Sequence, residues 1–179
     1  QESRNGLTNG REARTVREYY DPVAESFLVA DSDGGAFIDS IDLFFWSKDD
    51  ESTPVRVEIR TMINGFPTTT QIPLASKMLY PDQVATSTDG AVSTRFQFDD
   101  PIYLMNNTEY CFVVISDSLK YNMWISELGE VDLLSGKYIS EQPYLGSMFT
   151  SQNNRTWTPE QLKDIKFDMN RCQFSPTGD

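Results

Sequence analysis

Short stretches in which apolar and polar residues alternate, with turn-forming residues between them, constrain the fold of this chain most. In residues 55–60 valine and isoleucine alternate with arginine and glutamate, and residues 91–98 repeat the pattern. A period of two is typical of an antiparallel strand with one face in the core and one in water. Clusters of Gly, Asn, Asp and Pro separate these stretches and favour turns; they lie at 33–35, 48–51, 64–67, 88–90, 99–101 and 106–107. We therefore predict eight or nine strands that form an all-β sandwich.

One short helix is predicted near the C-terminus. Thr158 suits an N-cap, Pro159 the first helical position, and Gln161 completes a capping box. We expect this helix to end near Asp164, before a final strand. A second helical turn is expected at residues 81–84, whereas residues 129–146 show neither period and are typical of a functional or docking loop.

The composition excludes several classes of function. The chain has no histidine, which rules out Ser-His-Asp and Cys-His catalysis and any zinc site that needs histidine. Asp and Glu number 27 against 15 Lys and Arg, a net charge of −12. Because binding of nucleic acid needs a basic surplus, we expect no nucleic-acid partner. No apolar stretch approaches the roughly 20 residues of a membrane span, and no signal peptide or membrane insertion is predicted.

Charge is divided unevenly along the chain. Residues 1–18 contain four arginines and three glutamates, a net charge of +1, so the remainder carries −13. We predict an N-terminal arm or linker at 1–19, with a short helix at 11–19 as one option, and a sandwich domain at 20–179. The arm is predicted to dock on an identical or neighbouring subunit, and a plain solvated tail is the alternative. The arginines of the arm, its predicted partner contacts, are Arg4, Arg11, Arg14 and Arg17.

Cys111 and Cys172 are the only thiols, and both lie in strand-like stretches. Two buried free thiols are the favoured interpretation, because free cysteine is among the most buried residue types. A disulfide between neighbouring strands is the alternative, and it requires an oxidising compartment.

Acidic residues offer weak candidates for metal binding and for catalysis. Asp31 and Asp33, followed by two glycines, could supply oxygen ligands to Ca²⁺, but the loop lacks the EF-hand pattern and a polar turn is favoured. No other cofactor is predicted. Asp39 and Asp42 are three apart in a strand pattern and are expected on opposite faces, so they do not form the carboxylate pair of a glycosidase. We therefore predict no enzymatic activity.

Aromatic rings raise the possibility of sugar binding, because a ring can stack on the apolar face of a pyranose. Core packing is the favoured role for such rings. The candidate stacking residues are Tyr121, Trp124, Tyr144 and Trp157.

Several segments, in order and spacing, resemble a module found in virion structural proteins of tailed bacteriophages, especially contractile-tailed marine phages. They include YDPVAESF at 20–27, IDSIDLFF at 38–45, WISELG at 124–129 and QPYLGSMF at 142–149. The resemblance covers about residues 20–174, so the arm lies outside it. The two cysteines stand where a small residue such as alanine is expected.

The resemblance implies a jelly-roll-like antiparallel sandwich in a tail, baseplate or fibre-associated protein. It implies a virion location and a role in assembly through contacts with other virion proteins and with copies of the same chain. The long segment 129–149 and the arm would make these contacts. It supplies no catalytic motif. The alternative function is a carbohydrate-binding module that contacts host-surface glycans.

Overall fold

Two antiparallel sheets, packed face to face, contain most of the residues that the computed structural model describes, namely 11–15, 22–30, 34–128, 145–160 and 163–172. The prediction of an all-β sandwich is confirmed. A turn of 3-10 helix, Pro81–Gln83, lies at the predicted place. The strands are β1 (Arg11–Thr15), β2 (Val23–Val29), β3 (Ala36–Ser47), β4 (Val55–Ile63), β5 (Phe66–Leu79), β6 (Ser93–Leu104), β7 (Thr108–Ser116), β8 (Asn122–Leu128), β9 (Leu145–Ser151), β10 (Trp157–Glu160), β11 (Lys163–Ile165) and β12 (Phe167–Arg171).

Most neighbours within each sheet come from distant parts of the chain. The first sheet has the order β10-β9-β2-β7-β4-β5. The second has the order β11-β8-β3-β12, with β6 paired to β3 and β1 paired to β8. Val23 of β2, for example, lies opposite Val114 of β7 and Thr150 of β9.

Aromatic rings fill much of the space between the sheets. Phe45 of β3 is fully buried, with ring-centre distances of 6.3 Å to Phe96 and 6.0 Å to Tyr121. Phe112 of β7 and Phe167 of β12 meet edge to face at 4.9 Å. Such tilted contacts add to the stabilisation that comes from area burial alone.

The first sheet also carries a second apolar cluster on its outer face. Its buried members are Ala24, Cys111, Val113, Phe149 and Trp157, with Met62 and Ile115 packed against them. Strand β7 therefore contributes to both layers, since its residues 110, 112 and 114 belong to the core between the sheets. A strand buried on both faces reads as a continuous apolar run, which explains YCFVVI at 110–115.

The hairpin between β4 and β5 bends over this outer cluster. Its turn is Asn64-Gly65, with φ of 54° and 82°, the pair of positive values that a type I′ turn requires. Phe66 at the tip lies 6.1 Å from Phe149 on β9, four strands away in the sheet order. On a flat sheet four strand spacings are about 19 Å. The hairpin tip therefore folds across the sheet and shields the cluster from water.

The predicted C-terminal helix is wrong for the residues that the structure describes. Trp157–Glu160 is strand β10, which pairs with β9 from Met148 to Ser151, and Lys163–Ile165 is strand β11. A helix cap contributes about 1 kcal/mol, whereas burying a tryptophan in the outer cluster contributes about 3 kcal/mol or more. Within the described residues β10 is an edge strand, which is a place in a sheet where proline is tolerated.

Part of the N-terminal arm is a strand of the second sheet. Arg11–Thr15 forms β1 and pairs antiparallel with β8, with Arg11 opposite Leu128 and Thr15 opposite Trp124. These residues are thus extended and not helical. Residues 1–10 and 16–21 lie outside the described part of the chain.

Candidate functional site

Three of the rings proposed for stacking on sugars are buried. Tyr121, Trp124 and Trp157 are 7%, 8% and 6% exposed, and Tyr144 lies outside the described residues. The Tyr121 hydroxyl donates to the Thr53 carbonyl oxygen. These three rings therefore pack in the fold and present no face to a ligand.

Trp124 anchors a corner on the outer face of the second sheet. Its Nε1 donates to the Ser87 carbonyl oxygen at 3.1 Å, and its ring meets Trp46 edge to face at 5.7 Å. Gly90 lies so close that an added Cβ would be 3.1 Å from the indole. Lys166 donates to the Gly90 carbonyl oxygen, and burial lowers the pKa of this lysine. Trp46, which was not among the predicted stacking residues, is the exposed tryptophan at 45%.

The remaining predicted site residues are only partly described. Arg11 and Arg14 lie on β1. Asp31, Asp33, Arg4, Arg17 and the loop at 129–144 lie outside the described residues. Within the part of the chain that the structure covers, no group of three or more His, Cys, Asp or Glu side chains is placed to hold a metal ion.

Both cysteines are free thiols, so Cys111 and Cys172 are not joined by a disulfide in the structure. Cys111 is fully buried in the outer cluster of the first sheet, whereas Cys172 follows β12 in the second sheet and is half-buried. Burial raises the pKa of Cys111 to about 12 and also raises the pKa of Cys172.

The thiols are expected to differ in reactivity. At pH 8 a thiol of pKa about 12 is ionised in roughly one molecule in ten thousand, and the thiolate is the nucleophile. A thiol reagent such as DTNB should therefore label Cys172 in the folded protein and Cys111 only after unfolding. The variant Cys172→Ser should show almost no labelling when folded. Equal labelling rates for both thiols in the folded wild type would contradict the buried position of Cys111.

The outer face of the second sheet carries a row of paired polar side chains, which we call the polar row: Asp39, Asp42, Arg95 and Gln97. Arg95 donates from Nε and Nη2 to the two oxygens of Asp42, at 2.8 and 3.1 Å. This hydrogen bonding raises the pKa of Arg95. Gln97 donates to the carboxylate of Asp39.

The expectation that Asp39 and Asp42 lie on opposite faces is wrong. Arg95 and Gln97 are two apart on β6 and share a face, and each binds one of the two aspartates. The pairing of β3 with β6 shifts register between Ile38 and Ser40. Such a bulge breaks the alternation of side chains and brings both carboxylates to the outer face.

An aromatic pair, Phe37 and Tyr103, continues the polar row toward one end of β3. Phe37 is 39% exposed and Tyr103 is 48% exposed, and their ring centres are 5.2 Å apart. Sequence alternation places Arg95 and Gln97 outward, but it does not reveal that β6 lies beside β3. Which side chains share this face is therefore known only once the register between β3 and β6 is known.

A different surface, the β5 edge, exposes large apolar side chains. We define it by Ile63 at the hairpin turn and by Phe66 and Leu74 on β5, which are 63%, 46% and 73% exposed. Residues 72–75 of β5 lie opposite Ile59 alone, and Leu74 in this bulge has a φ of 67°. Positive φ is unfavourable for leucine by roughly 1 kcal/mol or more, so the backbone holds this apolar side chain in water at a cost.

No family model, curated protein or solved structure matches this chain. No helix within the described ranges is long and apolar enough to cross a membrane. The candidate functional surfaces are therefore the β5 edge and the outer face of the second sheet.

Proposed function

We propose that this chain is a non-enzymatic structural module of a tailed-bacteriophage particle, in its tail, baseplate or fibre-associated part. It acts by contact with other protein chains, including copies of itself. The resemblance of residues 20–174 to such modules motivates the proposal. The observation that carries it is the β5 edge, where Phe66 and Leu74 on the edge strand and Ile63 at the adjoining end of β4 are large apolar side chains with substantial exposure.

The β5 edge has the features of a protein contact. Exposed large apolar side chains that lie together are typical of interaction sites, and Ile63 and Phe66 are paired across the hairpin turn. Strand β5 is at the end of the first sheet and pairs only with β4 within the described residues, and an edge strand offers backbone groups to a further chain. The bulge at Leu74 aims an apolar side chain outward on an unfavourable backbone, a cost that a contact surface would explain.

The polar row gives no support to a hydrolase. Asp42 is held on both oxygens by Arg95, and Asp39 accepts from Gln97. Because Asp42 is also buried, at 6% exposure, it is not free to act as an acid or a nucleophile beside Asp39. The absence of histidine from the whole sequence agrees with a module that performs no acid–base chemistry.

Sedimentation velocity on the full chain tests the proposed contact. We expect concentration-dependent self-association that the double variant Ile63→Asp/Leu74→Asp abolishes. Leu119→Asp is the matched control, because Leu119 is 46% exposed in the turn after β7 and should leave association unchanged. A wild-type chain that stays monomeric, or a double variant that associates like wild type, would contradict a contact at the β5 edge.

The salt dependence separates this contact from docking by the basic arm. Two chains of net charge −12 repel each other, and salt screens this repulsion. Association through the apolar edge should therefore strengthen as NaCl rises. Association through the arginines of the arm should weaken, so the sign of the salt effect identifies which of the two surfaces acts.

A further inference from the structure

The aromatic pair on the outer face of the second sheet is held in place before any ligand arrives. The Tyr103 hydroxyl donates to the Gly34 carbonyl oxygen. A Cβ at residue 35 would lie 2.6 Å from the Tyr103 hydroxyl oxygen and 2.7 Å from its ring. Glycine at 35 therefore lets the ring lie directly against the backbone. A ring fixed in this way loses little conformational freedom when it binds, which favours affinity.

The polar row next to this pair is also fixed. The guanidinium of Arg95 is oriented by two hydrogen bonds to Asp42, and the amide of Gln97 is oriented by Asp39. The side chain of Arg95 is nevertheless 56% exposed. A guanidinium has five N–H donors, so donors remain for a ligand. The row thus offers planar hydrogen-bonding groups in fixed positions.

The spacing of these groups suits an elongated ligand. Arg95 and Gln97 are two residues apart on β6, which corresponds to about 7 Å along the strand. The pairs Phe37↔Tyr103 and Ser40↔Gln97 place Tyr103 three β3 residues, or about 10 Å, beyond Gln97. The face therefore runs for about 17 Å, with an aromatic ring at one end, the planar groups of Gln97 and Arg95 at the other, and the β6 bulge at 98–101 between them.

We propose that this face binds a neutral oligosaccharide. The exposed ring of Tyr103 takes the apolar face of one pyranose, and Gln97 and Arg95 bond to the hydroxyls of the adjoining sugars. Arg95 pairs with Asp42, and the second carboxylate of the row, Asp39, binds the neutral amide of Gln97, so the row carries a net negative charge and repels an anionic chain. A protein partner fits less well, because protein contacts have an apolar centre depleted of charged residues and the centre of this face is polar.

Binding to an array of neutral hexasaccharides of glucose, mannose, galactose and N-acetylglucosamine, followed by calorimetry with the best of them, tests the proposal. The substitutions Tyr103→Ala and Gln97→Ala should each weaken binding by about tenfold or more, since each loses a main contact. Tyr80→Ala is the matched control, because Tyr80 is 50% exposed at the 3-10 turn and should bind like wild type.

Two results would overturn the proposal. One is an array with no specific signal at millimolar sugar for the folded wild-type chain. The other is binding that survives both Tyr103→Ala and Gln97→Ala. Thermal unfolding of each variant shows whether it is folded, and Gln97 is exposed enough that its replacement should leave the fold intact. Self-association that depends on Tyr103 in place of sugar binding would assign the face to a second copy of the chain and would also overturn the proposal.

Discussion

Replacement of Arg60 by alanine is expected to lower the free energy of unfolding by about 3 kcal/mol, within the range for breaking a buried ion pair. Arg60 Nε lies 2.6 Å from Glu58 Oε2, and the two side chains are only 4% and 7% exposed. Arg60 also donates to the Thr68 carbonyl oxygen in the covering hairpin. Without Arg60 the Glu58 carboxylate stays buried on the outer face. Among the described residues, the half-exposed Arg56 is then the one cation left beside the Glu58 carboxylate, at 3.3 Å.

Urea unfolding followed by tryptophan fluorescence measures this change. The exposed pair of Lys120 and Asp50, at 2.7 Å, supplies the control: Lys120→Ala should cost less than about 1 kcal/mol. The double variant Glu58→Leu/Arg60→Met should recover most of the loss, because a packed apolar pair replaces a buried ionic one at little cost. If Arg60→Ala is no more destabilising than Lys120→Ala, water solvates the pair and the hairpin does not shield it.

Replacement of Trp124 by alanine is expected to destabilise the fold by about 3–5 kcal/mol, the usual cost of removing a large buried ring. The loss removes the hydrogen bond to Ser87 and the packing surface for Gly90 and Trp46. The edge of the second sheet where β1 and β11 pair with β8 should loosen with it, since Trp124 belongs to β8.

Thermal unfolding compares this variant with Trp46→Ala. Trp46 is 45% exposed, so its removal should cost clearly less than the removal of Trp124. The same pair of variants tests whether Trp124 stacks on a sugar. A stable Trp124→Ala variant that loses binding to a sugar would show that this ring serves a ligand and not the fold.

The strands in which apolar and polar residues alternate were the most predictable part of the fold. Residues 55–60 lie in β4 and residues 93–98 in β6, because alternation reports which face of a strand lies in the core. On β4 the polar face is covered as well, since Glu58 and Arg60 are buried. The predicted helix at 158–164 failed because its capping signal is local. The competing signal is the place for Trp157 in the outer cluster, which β2 and β7 supply from distant parts of the chain together with the neighbouring strand β9.

The outer-face site depends on register and on a bulge. No local pattern reports that Gln97 lies opposite Ser40, or that a register shift near Asp39 turns both aspartates outward. The β5 edge could not be predicted from the sequence either, because the positive φ of Leu74 arises from extra residues of β5 in its pairing with β4. Sequence alone therefore predicted the layers of the sandwich but not which side chains meet on its surfaces.

Strand β7 is buried on both faces, and this limits which substitutions it can accept. Tyr110, Phe112 and Val114 face one apolar layer, and Cys111 and Val113 face the other. No position between 110 and 114 is free to accept a polar side chain. On β6, by contrast, every second residue from Ser93 to Gln97 faces water. In a population of related chains, β7 should thus change slowest, while the outward positions of β6 are open to selection for new ligands.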